Sequence, residues 1–268
     1  MKYNIIDFHT HPFLSVEQNI CYYKDYFKAW DYNFSKEYLT QMGISKICGM
    51  LFSRSDVFTA EMDKKEIWSQ ILKRNDQTLE LKKLYGDFYE PAFTIHPALV
   101  KESCDEIDRM YKNGVKIVGE LLPYYHQYNF ASEGLDEIID YATTKGMIIS
   151  LHTCDDDNLD ALVKKHQDTI IVAAHPGESP QVERHLKRMD MNENYHLDIS
   201  GTGLFRFGVL KKFIDKFSVD RILFGSDYPV CSPAMYVGGI ALDSTLSEEE
   251  KIKIFSGNAE RLLYGKIL

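Results

Sequence analysis

The stretch IIDFHTHP, residues 5–12, decides how the rest of the chain is read. An apolar run of strand type carries His9 and His11 and then stops at Pro12. Residues two apart on a strand project from one face, so the two imidazoles meet in one small space. Protonated, they would repel; neutral, they can share a metal ion. Three more segments end an apolar run in a ligating side chain: His152 in MIISLHTCD (147–155), His175 in IIVAAHPG (170–177) and Asp227 in ILFGSDYP (222–229). Neutral imidazoles with one carboxylate suit a zinc-like ion and leave a position for water. Strand ends are also where a (β/α)8 barrel assembles its active site.

Working outward, apolar runs at 3–8, 45–51, 91–95, 115–121, 147–151, 170–174, 195–199 and 221–224 read as strands. Runs such as IIVAA and KICGML are apolar on both faces, which suits a buried parallel sheet. Helical patterns fill the gaps. Leu135, Ile138, Ile139 and Ala142 have helical spacing, and Leu159, Leu162 and Val163 repeat it; residues 56–83 read as one or two helices with a charged face. Ser103-x-x-Glu106 and Ser247-x-x-Glu250 read as capping boxes that open helices. Gly43, Gly114 and Gly146 precede strands, where helix C-caps are expected. This alternation predicts an α/β fold, a (β/α)8 TIM barrel, regular or distorted, forming a single domain over residues 1–268. An aromatic-rich insertion, residues 13–33, follows the first strand and holds Tyr22, Tyr23, Tyr26, Phe27, Trp30 and Tyr32. Its rings form either a lid over the site or ordinary core at the barrel rim.

With 44% hydrophobic residues among 268, the chain can bury a substantial core. Its net charge of −9 disfavours general binding of nucleic-acid backbones. No run is apolar for long enough to span a membrane, and the first residues enter a strand instead of forming a leader. Five scattered cysteines without a CxxC fit reduced thiols in the cytoplasm. The expected partner is a small-molecule substrate; a homo-oligomer is left open.

Glu120 lies in the apolar run KIVGEL, where a buried carboxylate needs a partner. It can bridge a second metal ion, hydrogen-bond a ligand histidine, or pair with a basic residue at the rim. Asp227 can ligate a metal and also accept a proton. His96 in TIHP is a candidate for the barrel mouth, and His126 in PYYHQY a candidate for substrate binding. Arg54 and Arg206 match a substrate carboxylate, or are solvated surface residues. His166, His185 and His196 read as surface or packing residues, and nothing marks Cys154 or Cys231 as a nucleophile.

Together, DFHTHP (7–12), EYLTQMGISKICG (37–49), TIHP (94–97), SLHT (150–153), AAHPG (173–177), LFGSDYP (223–229) and the tail SEEEKIKIFSGNAERLLYG (247–265) resemble the amidohydrolase superfamily. The resemblance is strongest to the amidohydrolase-related (amidohydrolase 2) family, which includes aminocarboxymuconate semialdehyde decarboxylase. It implies that His9, His11, His152 and Asp227 hold a divalent metal, usually zinc, and that His175 polarises the substrate or moves protons. In two-metal branches the sixth-strand histidine is itself a ligand, and a carboxylate on strand four bridges the ions; Glu120 stands at that position. GELLPYY (119–125) also resembles a motif of TatD-like nucleases. The implied activity is hydrolysis of a C–N or C–O bond (amide, ester or lactone) of a small molecule by a metal-activated water, with one or two ions. A metal-dependent decarboxylase and a TatD-like phosphodiesterase are the alternatives.

Overall fold

Short runs rich in Ile, Val, Phe and Tyr form eight strands: β1 (Ile5–Thr10), β2 (Ile44–Gly49), β3 (Tyr89–Phe93), β4 (Ile117–Leu121), β5 (Ile148–His152), β6 (Ile171–Ala174), β7 (Tyr195–Asp198) and β8 (Ile222–Leu223). All pair in parallel and in chain order. The sheet closes on itself where the amide of Phe8 donates to the Phe224 carbonyl (2.8 Å) and that of Asp227 to the His9 carbonyl (2.8 Å). This is the (β/α)8 barrel. The computed structural model describes residues 2–20, 32–53 and 56–266; most of the aromatic insertion and Arg54 lie outside them.

Eight helices follow the strands in turn: α1 (Tyr32–Gln41), α2 (Lys64–Tyr85), α3 (Val100–Lys112), α4 (Leu135–Thr144), α5 (Asp156–Lys165), α6 (Ser179–Met191), α7 (Val209–Phe217) and α8 (Pro233–Leu242). The tail adds α9 (Glu248–Ile252) and α10 (Asn258–Tyr264), joined by a π turn. Burial sorts the apolar residues into two layers. The larger packs helices on strands and contains Leu135, Ile138, Ile139, Ala142, Leu159, Leu162 and Val163, the residues whose spacing predicts α4 and α5. The smaller fills the barrel with Ile6, Phe8, Ile117, Ile148, Val172 and Leu223. Ala259 and Leu263 of α10 join that inner layer, and Lys116 at the foot of β4 donates to the Leu263 carbonyl (2.6 Å). The last helix therefore sits at the barrel end opposite the strand termini that carry the histidines.

One expected capping box forms: the Ser247 hydroxyl accepts from the Glu250 amide, and the Glu250 side chain returns to the Ser247 amide. The other does not. α3 begins three residues before Ser103, and the Ser103 hydroxyl instead accepts from the His96 amide and donates to the His96 carbonyl (3.1 Å each). Glu106 turns to Asn75 and Arg109. Strand β8 is shorter than its apolar run, because Arg221 closes a 3-10 turn (Val219–Arg221) and the Phe224 amide donates to the Ile254 carbonyl (2.9 Å). Among the described residues no helix is long and apolar enough to cross a membrane.

Candidate metal centre

Strand β1 does not run straight into its histidines. Its register with β2 shifts between Asp7 and Thr10. Such an irregularity re-aims side chains, and here Phe8 stays in the inner apolar layer while His9 and His11 both turn to one point. Glu120 from β4 and Asp227 from beyond β8 face them. His9 Nε2 lies 3.5 Å from Glu120 Oε2 and 3.7 Å from Asp227 Oδ1; His11 Nε2 lies 3.5 Å from each. The two histidines and Glu120 are about 95% buried, and His9 Nε2 has no hydrogen-bond partner.

A buried nitrogen left without a hydrogen bond is costly unless something satisfies it. Bonds of about 2.0–2.2 Å to a tetrahedral divalent ion set its ligand atoms about 3.3–3.6 Å apart. The imidazole-to-carboxylate separations of 3.5–3.7 Å come close to that spacing, and imidazoles with carboxylates are donors that zinc and manganese both accept. The residues therefore fit a divalent cation. Two overlapping triads, His9–His11–Asp227 and His9–Glu120–His175, each bring their ligand atoms within 4.8 Å of one another.

A family model described as amidohydrolase matches residues 6–264. The chain belongs to the amidohydrolase family. It is an enzyme of that superfamily. Comparison with curated proteins finds no match. Among solved structures, 2,6-dihydroxybenzoate decarboxylase from Rhizobium superposes with a TM-score of 0.73 at 15% identity, covering 97% of this chain and 98% of the other. Dihydroxybenzoic acid decarboxylase from Polaromonas, with bound manganese and 2-nitroresorcinol, gives 0.72 at 14%, covering 97% of each chain. A probable 2-pyrone-4,6-dicarboxylic acid hydrolase from Acinetobacter baumannii gives 0.65 at 14%, covering 97% and 99%. At these identities the likeness establishes the fold.

In this amidohydrolase the remaining expected residues gather at the same end of the barrel in different ways. His152 reaches the centre through Glu120, its Nδ1 lying 2.8 Å from Glu120 Oε1. Both oxygens of Glu120 thus face imidazole nitrogens. The His175 ring packs 5.0 Å from that of His9 and 4.8 Å from that of His152, with Nδ1 3.0 Å from the Ser200 hydroxyl. His175 and Asp227 both have left-handed backbones, with φ of 67° and 60°. That is an uncommon conformation for such residues and one that clusters at functional sites.

The electrostatics describe a place prepared for positive charge. Burial opposes protonation of His9, yet Asp198, Glu120 and Asp227 hold it well above the usual imidazole value. Burial alone would raise Glu120, but His9, His152 and His11 hold it well below the carboxylate range. Burial lowers His11 and His175 to about 4, with His9 adding to the effect. Burial also raises Asp227 to about 7, against the pull of His9. A cavity of about 170 Å³ opens on this group, lined by His11, Glu120, His152, His175 and Asp227 on one side. Ile20, Phe52, Leu122, Tyr124, Tyr125 and Val230 form the other side.

Several candidates lie elsewhere. His96 is buried, donating from Nε2 to the His126 carbonyl (3.0 Å) and accepting the Ala98 amide at Nδ1 (3.2 Å). His126 stacks on Phe58 with ring centres 4.6 Å apart and lines a separate small void. Arg206 is exposed and paired with Glu178 (2.9 Å). His166, His185 and His196 are all buried packing residues. Two buried acids were not singled out from the sequence. Asp198 lies 3.0 Å from His9 Nδ1, and Asp7 accepts from the amide (2.9 Å) and hydroxyl (2.5 Å) of Ser226. Each interrupts an apolar run, YHLDIS and IIDF. That signal singles out Glu120 in KIVGEL and applies equally to them.

Proposed function

We propose that this amidohydrolase is a metal-dependent hydrolase that cleaves a C–N or C–O bond of a small amide, ester or lactone. The cage of His9, His11, Glu120 and Asp227, built on two triads of ligand atoms that share His9, carries this reading. These residues would hold one ion, and their mix of imidazole and carboxylate donors is one that catalytic zinc sites use. The triad of His9, Glu120 and His175 would offer a position for another. Such an ion supplies Lewis acidity and makes water more acidic. Asp227 then holds and returns a proton, since its carboxylate stands beside the place where the water would be activated. His175 meets the reacting carbonyl or the second cation. Phe52, Tyr124 and Tyr125 pack on the substrate and keep bulk water out. The chain works as a single domain on a small molecule in the cytoplasm, and its net charge of −9 argues against nucleic-acid partners.

Decarboxylation of an aromatic acid is the second reading, favoured by the names of two similar barrels. Elemental analysis of the purified protein, followed by a screen of amides, esters, lactones, phosphoesters and dihydroxybenzoates, separates the two. Hydrolysis yields an acid without gas, and decarboxylation yields carbon dioxide. Turnover of phosphoesters alone, or a protein with no affinity for zinc or manganese, overturns the proposal.

A further inference from the structure

We propose that a single carboxylate on β7, Asp198, fixes the proton position in two imidazoles at once: that of His9 directly, and that of His175 through the Ser200 hydroxyl. The inference deepens the reading of His9 and His175 as working groups of the centre and rests on it for its functional meaning.

Asp198 is fully buried, and both its oxygens are used. Oδ2 lies 3.0 Å from His9 Nδ1. Oδ1 accepts the Ser200 amide at 2.9 Å and also the Ser200 hydroxyl proton. A carboxylate only accepts, so His9 Nδ1 must carry a hydrogen. A serine hydroxyl has one proton to give, and Ser200 gives it to Asp198. It can therefore offer only a lone pair to His175 Nδ1, 3.0 Å away, and that nitrogen must be the donor. Both rings carry a hydrogen on Nδ1. Nε2 is the nitrogen left to each for the centre, and for His9 it is the atom facing Glu120 and Asp227.

The surroundings are shaped to this relay. A Cβ on Gly201 would lie 2.2 Å from His175 Nδ1, and one on Gly225 would lie 3.0 Å from Asp198 Oδ1. The His175 carbonyl accepts from His185 Nε2 (3.0 Å), and His185 Nδ1 faces the Tyr195 hydroxyl (2.9 Å). His185 must therefore hold its proton on Nε2, the opposite arrangement to its neighbour. The consequence is chemical: neutral His175 presents an acceptor to substrate or cation, and it cannot donate to an oxyanion until it has first taken up a proton. Asp198 and Ser200 are positioning residues for this role.

Nitrogen-15 spectra of histidine-labelled, metal-free protein read ring tautomers directly. We expect His175 with its hydrogen on Nδ1 and His185 with its hydrogen on Nε2, an internal reference in the same spectrum. Ser200→Ala removes the acceptor and should move His175 towards the Nε2–H form while His185 stays unchanged. Asp198→Asn keeps the shape but can present an N–H to His9 Nδ1, and should weaken zinc binding by about 10–100-fold. A wild-type His175 carrying its hydrogen on Nε2, or one whose tautomer ignores Ser200→Ala, overturns the proposal. Because the spectra need no metal, a protein that binds no zinc overturns the functional reading while the expected spectra uphold the relay.

Discussion

Two pairs of buried histidines invite comparison. His9 and His11 end β1, and His96 and His126 lie just beyond β3 and β4. In sequence DFHTHP and TIHP look alike: an apolar run, histidine, proline. In space they differ in what the rings see. His96 is satisfied by peptide groups on both nitrogens, and His126 stacks on Phe58 with its Nδ1 also lacking a partner. His9 faces three carboxylates, and its Nε2 has no partner. A strand-end position does not by itself make a histidine a ligand. Carboxylates around its free nitrogen make it a candidate ligand for a cation.

The comparison breaks first, if it breaks, at the cage. Replacing both His9 and His11 with Ala should remove nearly all bound divalent metal, measured by elemental analysis, and all turnover; full retention would show the cage is not the site. Next in size, Asp227→Asn keeps the volume and removes the proton carrier. Its kcat should fall about 10²–10⁴-fold with melting temperature little changed. Near-normal turnover of an identified substrate would refute the proton role. Glu120→Gln should weaken metal affinity by about tenfold or more, or halve the stoichiometry if two ions bind, as titration calorimetry can follow.

The smallest expected effect belongs to the other pair. Burial lowers His126 to about 3, so the unfolded chain binds a proton near its ordinary value of about 6.5 and the folded chain does not. Stability contributed at neutral pH is therefore lost as pH falls from about 6.5 towards 3, at about 1.4 kcal/mol per pH unit for the one site. His126→Phe should flatten the acid limb of urea unfolding by about one proton and leave metal content untouched. Loss of metal in that variant would erase the distinction drawn between the two pairs.

Much of this was legible in the sequence. Every strand lies within about two residues of its apolar run, because a strand buried on both faces writes itself as an unbroken hydrophobic stretch. His9, His11 and Asp227 show themselves by ending such stretches. The rest depended on partners that no local pattern names. Ser103 is spaced as a cap, but the chain needed its hydroxyl for both peptide groups of His96. Glu120 allowed three readings until its oxygens were seen to face His9, His11 and His152. Asp198 is 189 residues from His9, and only barrel closure joins them.

Closure has a consequence for how the protein comes into being. The seam between β1 and β8 is where the first and last strands meet, and there the Asp227 amide bonds the His9 carbonyl (2.8 Å) and the His11 amide bonds the Tyr228 carbonyl (2.7 Å). The cage straddles that seam. Asp227 follows the last of the eight strands, so no partly made barrel owns the complete cage. An ion held there acts as a clasp on the last join, favouring the closed ring over an open sheet by mass action. Amide exchange along β1 and β8 should then slow more than elsewhere when zinc is added, turning metal occupancy into a gauge of whether the ring has shut.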